Sequence, residues 1–221
     1  MTTQENQSPS TGRKHAPPRH RESGPDRRLA IAAAARQLIV EKGLDGLRTR
    51  DIASAVGINI ATLHYHVPTK EALIELVTAS MRDEFAAQSG VWSRENLTPA
   101  DELRLEISEF QTLRQKNPQL LQVMAELGQR ARIDENVARY LVPLRLDWRA
   151  RVAGIVRDGK ACGQFRSDLD PEAAAVIVTG TIIGLTQYPD AEPPDLTTVS
   201  DEILRSFLSP TAKEKLNAGE N

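Results

Sequence analysis

The sequence predicts an all-α protein of about nine helices. Apolar residues recur three and four positions apart through most of its 221 residues, which is the period of one face of an α-helix. No segment shows the alternation of apolar and polar residues that is typical of a half-buried strand. Glycine and proline separate one helical pattern from the next. A chain of this length suits one or two domains with a sizeable buried core.

The first helical pattern follows a polar, basic segment. Residues 1–25 contain almost no apolar side chains, so burial cannot offset their loss of conformational entropy, and we expect a disordered basic tail. Apolar positions then recur from Leu29 to Ile39, with Asp26 as a candidate N-cap and Gly43 at the end of the helix. Residues 211–221 are expected to form a second disordered tail.

Two short helices and one longer helix are predicted next. Thr49 is a candidate N-cap for the first short helix, which ends at Gly57. Asn59 is a candidate N-cap for the second, which ends before Pro68. Thr69 is then expected to cap a longer helix.

Five further helices account for the rest of the chain. Pro118 and Pro171 stand at the first positions of two of them, where proline is favoured. Pro143 lies inside another and predicts a kink or a break there. The apolar stretches of the five cover residues 103–110, 120–127, 137–155, 173–188 and 199–208.

Charge is distributed unevenly along the chain. Residues 1–70 contain 11 Lys and Arg against 6 Asp and Glu, whereas residues 71–221 contain 17 against 24. This asymmetry indicates a nucleic-acid or membrane contact on the basic side, although a solvated basic tail produces the same difference. The apolar stretch that begins at Ala173 is shorter than the ~20 residues of a membrane-spanning helix. The N-terminus lacks the apolar core of a secretory signal, so we expect a cytoplasmic protein without a membrane contact.

Residues 49–73 have the pattern of a helix-turn-helix. The small Ala53 suits the crossing of two helices, and Gly57 suits the turn between them. The outer face of the second helix is then free to enter a major groove of DNA, with its N-terminal residues first. The inward-facing apolar anchors are Ile52, Val56, Ile58 and Leu63.

The stretch from Arg28 to Val77 resembles the N-terminal domain of the TetR (tetracycline-repressor-like) family of transcriptional regulators. The resemblance implies a three-helix DNA-binding domain over residues 26–72 and a helical effector-binding and dimerisation domain over residues 73–210. Ile60, Ala61 and Val67 depart from the residues that are common in the family. The resemblance rests on Glu41-Lys42-Gly43, Thr49, Ile52-Ala53, Gly57, Thr62-Leu63-His64-Tyr65-His66 and Pro68-Thr69-Lys70-Glu71-Ala72-Leu73.

The resemblance assigns candidate DNA contacts to the helix-turn-helix. It implies phosphate contacts from Thr49, Tyr65 and Lys70, whose side chains can all donate to phosphate oxygens. Arg28 is a further candidate, for a phosphate or the minor groove. Ile60 either packs on a thymine methyl group or shares the inner face with Leu63. The candidates on the outer face of the second helix are Asn59, Ile60, Ala61, Thr62 and His64.

The resemblance also implies a homodimer, formed by the last two helices and their copies. The uncharged helix from Ala173 to Leu185 is expected to be buried on every side. Gly180 and Gly184 would let another helix approach closely, or they serve packing within the chain. The candidate interface residues are Gly180, Ile183, Gly184, Leu204, Phe207 and Leu208.

The middle helices are expected to enclose a pocket for a small-molecule effector of unknown identity. Each candidate lining residue also suits an ordinary apolar core. The implied mechanism has two states, and the effector binds the state that does not match the DNA. The candidates are Phe85, Trp92, Phe110, Leu113, Met124, Leu127, Tyr140 and Trp148.

Nothing in the sequence predicts an enzyme, a cofactor or a metal site. Residues 154–161 nearly match a phosphate-binding loop but lack its final Ser or Thr and continue a helical stripe. His64 and His66 are two positions apart and point in different directions on a helix, and Cys162 has no evident histidine partner. We therefore predict a regulator that a small molecule releases from a palindromic DNA operator, most often a repressor in this family. The alternative is a helical ligand-binding or interaction protein without specific DNA binding.

Overall fold

The computed structural model describes residues 24–89, 95–185 and 195–218. These residues form ten α-helices and no strand, apart from an isolated bridge between Phe165 and Leu208. The all-α prediction is confirmed, with one helix more than expected. The helices are α1 (Gly24–Lys42), α2 (Thr49–Val56), α3 (Ile60–His66), α4 (Lys70–Ser89), α5 (Pro99–Lys116), α6 (Pro118–Arg130), α7 (Glu135–Ala161), α8 (Pro171–Leu185), α9 (Leu196–Phe207) and α10 (Pro210–Ala218).

The extra helix, α10, lies where the sequence predicted a disordered tail from residue 211. Pro210 occupies its first position, and the Ser209 hydroxyl accepts a hydrogen bond of 3.3 Å from the backbone N–H of Ala212. Ala212 also packs against the apolar core. The capped start and this contact stabilise α10 although the segment is mostly polar. Residues 1–23 of the predicted N-terminal tail lie outside the described residues.

Two of the four predicted N-caps, Asn59 and Thr69, cap their helices in the structure. Asn59 accepts from the N–H of Thr62 at 2.7 Å, and Thr69 accepts from the N–H of Ala72 at 3.1 Å. Thr49 is instead the first residue of α2, whose N-cap, Arg48, makes no side-chain capping bond.

Two other local predictions differ from the structure. The first helix begins at Gly24, so Asp26 lies within its first turn rather than before it. The long helix α7 continues past Pro143 without a break, because a proline removes one hydrogen bond of a helix whose other residues remain packed.

The apolar core consists of two clusters of buried side chains. The first joins α1 to α4 with α6 and the N-terminal half of α7, and it includes Ile31, Ile52, Leu127 and Leu141, each at most 2% exposed. The second joins α5, the C-terminal half of α7, α8 and α9. The first cluster crosses residue 72, where the sequence predicted a domain boundary, so α1 shares a core with α6. In the described part of the chain, no helix is long and apolar enough to cross a lipid bilayer.

Candidate DNA-binding surface and ligand pocket

A tight turn at Gly57 joins α2 to α3. Gly57 has a φ of 74°, in the left-handed region that favours glycine, and its N–H donates to the carbonyl of Ser54 at 3.1 Å. Ala53 is buried where the two helices meet, and Leu63 anchors α3 to the core at 1% exposure. The helix-turn-helix therefore has the packing that the sequence predicted.

The outer face of α3 is open to solvent. Ile60 is 49% exposed, which excludes the inner-face position shared with Leu63 and leaves its side chain free to contact a partner. Ala61 and His64 are exposed beside it, and Thr62 is half-buried. The cap uses the amide oxygen of Asn59, so its NH2 group remains able to donate outward.

Three hydrogen-bond donors flank this face. Tyr65 is 84% exposed, and its ring meets the ring of His66 edge to face with 5.2 Å between centroids. Thr49 begins α2 and Lys70 begins α4, both exposed. No hydrogen bond joins any of these three side chains to another described residue, so all three can donate to phosphate oxygens.

Arg28, a predicted DNA contact, forms a hydrogen bond within the protein. Its Nη1 donates to the backbone carbonyl of His66 at 3.0 Å. Arg28 therefore caps the C-terminal end of α3. Its predicted contact with a phosphate or the minor groove remains a prediction. A second link joins α1 to α2, because Lys42 donates to Asp51 at 2.8 Å and thereby lowers the pKa of that carboxyl.

A cavity of about 270 Å³ lies among α4, α5, α6, α7 and α8. Leu127, which the sequence predicted to line an effector pocket, does not line this cavity and is fully buried in the first core cluster. Tyr140 lies outside the cavity and donates to Glu75 at 3.5 Å. Trp92 lies outside the described residues. The predicted residues that line the cavity are Phe85, Phe110, Leu113, Met124 and Trp148.

Charged side chains also line this cavity, and sequence reasoning missed them. Glu106 is 4% exposed and accepts from Trp148 Nε1 at 3.2 Å and from Arg151 at 3.0 Å. Glu109, one turn later on α5, is 7% exposed. The sequence does contain one signal of buried charge, because Glu106 and Glu109 lie within the apolar stripe of α5. The charged lining residues are Arg82, Glu106, Glu109, Arg145, Asp147 and Arg151.

Helix α6 connects the cavity to the helix-turn-helix. Glu126 Oε1 accepts a hydrogen bond of 3.1 Å from the N–H of Leu44, and Arg130 pairs with Asp45 at 3.1 Å. Leu44 and Asp45 belong to the segment between α1 and α2. The lining residue Met124 is on the same helix. Side-chain contacts from α6 therefore reach the segment that precedes the helix-turn-helix.

Comparison with known families identifies the chain. Residues 31–77 match the family model described as bacterial regulatory proteins, tetR family. Residues 99–210 match the model described as BetI-type transcriptional repressor, C-terminal. The chain belongs to the TetR family. As the sequence predicted, it is a DNA-binding transcriptional regulator.

Individual relatives agree with this assignment. The transcriptional repressor KstR2 of Rhodococcus jostii RHA1 is 27% identical over 154 residues, which cover 67% of this chain and 72% of that protein. The regulator EthR of Mycolicibacterium smegmatis is 33% identical over 105 residues, 47% of this chain and 45% of that protein. A Saccharomonospora viridis regulator solved with choline superposes with a TM-score of 0.73 at 20% identity, over 84% of this chain and 99% of that one. The relatives are regulators rather than enzymes.

Helix α8 has apolar side chains on its exposed outer face. Val176 is 47% exposed and Ile177 is 50% exposed. Gly180 and Gly184 are exposed on the same helix, and no atom lies within 4 Å of the position that a Cβ would take at either glycine. Packing against the described part of the chain therefore does not explain these glycines. The expectation that α8 is buried on every side is wrong for the single chain.

The other predicted interface residues have different roles in the structure. Leu204, Phe207 and Leu208 are at most 5% exposed, because the single apolar stripe of α9 packs inside the second core cluster. Ile183 lines the cavity. These four residues are not part of the outer face of α8.

Proposed function

We propose that this TetR-family regulator is a dimeric repressor that leaves a palindromic DNA operator when a small-molecule effector binds. The observation that carries the proposal is the exposed face of α3, flanked by Thr49, Tyr65 and Lys70, whose side chains form no hydrogen bond with any residue that the structure describes. A helix of this kind enters a major groove with its N-terminal residues first, while neighbouring donors hold the phosphates. Residues 26–72 then form the DNA-binding unit of a cytoplasmic protein that is not an enzyme.

Base reading is assigned to the first turns of α3. The exposed Ile60 can pack on a thymine methyl group, and the free NH2 group of Asn59 can donate to a base edge. Thr62 and His64 can reach base edges or phosphates, and the small Ala61 permits close approach. Arg28 supports this contact by holding the end of α3.

Two copies are required to read a palindrome. Helix-turn-helix proteins place two recognition helices in half-sites about 34–36 Å apart or at multiples of that distance. Val176, Ile177, Gly180 and Gly184 on α8 support a homodimer interface, since exposed apolar patches mark association surfaces and glycines allow close helix approach. We assign residues 73–210 to dimerisation and effector binding.

The cavity supports release by an effector. It is concave and mostly apolar with a few polar groups, as small-molecule sites are, and the regulator from S. viridis with the same fold was solved with choline. An effector that binds one arrangement of α6 more tightly than the other shifts the population of DNA-binding forms. Glu126 and Arg130 would carry that shift to the segment after α1.

Selection of binding sites from random duplex DNA tests the proposal. The full chain is incubated with the duplex pool at moderate salt, and bound sequences are enriched over several rounds. We expect one palindromic sequence, bound by two chains per duplex in sedimentation experiments. Weak, salt-sensitive binding without an enriched palindrome would leave only non-specific electrostatic attraction, and the ligand-binding or interaction protein would replace this proposal.

A further inference from the structure

One positive charge that lines the cavity, Arg145, forms no ion pair with any residue that the structure describes. Arg145, on α7, lines the cavity, and its Nε atom is buried without a hydrogen bond to any residue that the structure describes. Its burial lowers the pKa of the guanidinium below its usual value, although the group stays charged at neutral pH. A desolvated charge without a partner is unfavourable, and a bound anion would offset this penalty.

The two buried acidic side chains of the cavity, Glu106 and Glu109, both interact with other groups of the protein, although Glu106 Oε1 accepts no hydrogen bond from a described residue. Glu106 accepts from Trp148 and forms an ion pair with Arg151. Glu109 makes an interaction of its own, and Asp147 is exposed to water at the edge of the cavity. Glu106 is thus neutralised by Arg151, whereas the half-buried Arg145 forms no ion pair with any described residue, which favours an anionic ligand over a cationic one.

The position of Arg145 depends on a glycine of α6. A Cβ placed on Gly128 would lie 2.2 Å from Arg145 Nη2, so the guanidinium occupies space that a larger residue would fill. Gly128 lies between Glu126 and Arg130, the two residues that bond to the segment after α1. A ligand that draws the guanidinium away from Gly128 therefore acts on the helix that contacts the DNA-binding unit.

Apolar side chains form another part of the cavity wall and favour an apolar ligand body. Phe85, Phe110, Leu113 and Ile182 line the space around Arg145, and a cavity of about 270 Å³ admits only a small molecule. We propose that the effector is a small amphipathic carboxylate whose anionic group binds Arg145 and whose apolar part lies against these side chains. This proposal rests on the proposed function of the cavity as an effector site.

Three ligands of equal chain length separate the contributions of charge and apolar contact. Octanoate, octan-1-ol and octylammonium are titrated into the full chain at neutral pH by isothermal titration calorimetry. We expect octanoate to bind roughly tenfold or more tightly than either of the others, because hydrogen bonds to charged groups are the strong ones. This comparison in the wild type decides the question even if variants do not fold.

Arg145→Gln and Arg149→Gln form a matched pair of variants. Both arginines are on α7 and both have a buried Nε without a partner among the described residues, but Arg149 does not line the cavity. We expect Arg145→Gln to reduce octanoate affinity to that of octan-1-ol, and Arg149→Gln to leave it unchanged.

Three outcomes would overturn the proposal: octanoate binding no tighter than octan-1-ol, octylammonium binding tightest, or equal losses in the two variants. Operator binding is measured separately by fluorescence anisotropy. Octanoate that binds through Arg145 but leaves operator affinity unchanged would support the anion site and contradict the proposed release mechanism. The calorimetric titrations contain no DNA, so they test the anion site at Arg145 separately from the proposed release of the operator.

Discussion

The carboxylate of Glu126 on α6 accepts a hydrogen bond of 3.1 Å from the backbone N–H of Leu44, directly after the end of α1. Leu44 is 2% exposed, so water cannot easily replace this bond. One turn further along α6, Arg130 pairs with Asp45. The same helix contributes Met124 to the cavity, so a single rigid element contacts both the proposed effector site and the DNA-binding unit.

We expect Glu126→Ala to lower the free energy of unfolding by about 1–3 kcal/mol, because it leaves the N–H of Leu44 buried without an acceptor. The same variant should reduce the loss of operator affinity that an effector causes, because one link to α6 is missing. Glu126→Gln, which keeps a side-chain oxygen as acceptor, is the control. Urea unfolding measures the first effect, and anisotropy titrations with and without effector measure the second. Equal free energies of unfolding and equal effector responses in Glu126→Ala and Glu126→Gln would contradict the role of the Glu126 side-chain oxygen as acceptor for the N–H of Leu44.

Phosphate contacts are tested by removing one donor at a time. Lys70→Ala should weaken binding to operator and unrelated DNA alike and reduce the slope of log affinity against log salt by about 1. Lys213→Ala, which removes an exposed lysine of α10, is the control and should change neither. Tyr65→Phe should weaken binding without changing the salt slope, because it removes an uncharged hydroxyl. Unchanged affinity in both Tyr65→Phe and Lys70→Ala would contradict the phosphate assignments.

The outer face of α8 is tested by introducing a charge. Ile177→Lys should convert the dimer to a monomer, because a buried interface cannot accommodate an unpaired ammonium group. Ile133→Lys changes an isoleucine that is 81% exposed outside this face, and it should leave the dimer intact. Sedimentation velocity at several protein concentrations distinguishes the two results. A dimer in both variants would place the interface elsewhere.

Two glycines of α7 provide a matched test of core packing. A Cβ on Gly159 would lie 2.1 Å from the ring of Phe165, which is 1% exposed and meets Phe207 edge to face. Gly159→Ala should therefore destabilise the protein by about 1–3 kcal/mol despite the higher helix propensity of alanine.

Gly154→Ala is the control for this test, because the nearest atom to its new Cβ would be 4.0 Å away. It should stabilise the protein by up to about 1 kcal/mol, since alanine has the higher helix propensity. Thermal unfolding followed by circular dichroism gives both values. A loss of stability in Gly154→Ala equal to that in Gly159→Ala would show that loss of helical glycine, rather than contact with Phe165, is responsible.

The helix-turn-helix could be predicted because its determinants are local. Ala53, Gly57 and Asn59 act on neighbours a few residues away, and each has the predicted role in the structure. Thr49 was misplaced by one position, an error that is common at helix ends. The exposure of Ile60 could not be predicted, because Ile60 and the buried Leu63 are three positions apart and so lie only about 60° apart around the helix axis.

The residues that line the cavity and those of the proposed interface could be predicted only in part from the sequence, because their positions depend on packing between helices that are distant in the chain. The apolar stripe of α9 suits either a partner copy or the core of its own chain, and only the packing against α5 shows that Phe207 is core. Glu106 and Arg145 are charged residues whose burial results from the meeting of α5, α6 and α7. The position of Glu106 within the apolar stripe of α5 is a local signal of burial, but no local pattern shows that these residues line a cavity.

The exposed face of α3 is proposed to read the DNA bases. The most direct test of this role is to remove the thymine methyl groups of the selected operator one at a time. Each thymine is replaced by uracil, which deletes only the methyl group, and the affinities of wild type and Ile60→Ala are compared by anisotropy. We expect one thymine in each half-site whose replacement weakens wild-type binding but has no effect on Ile60→Ala. Uracil substitution without effect at every position, or with equal losses in both proteins, would contradict the placement of Ile60 in the major groove.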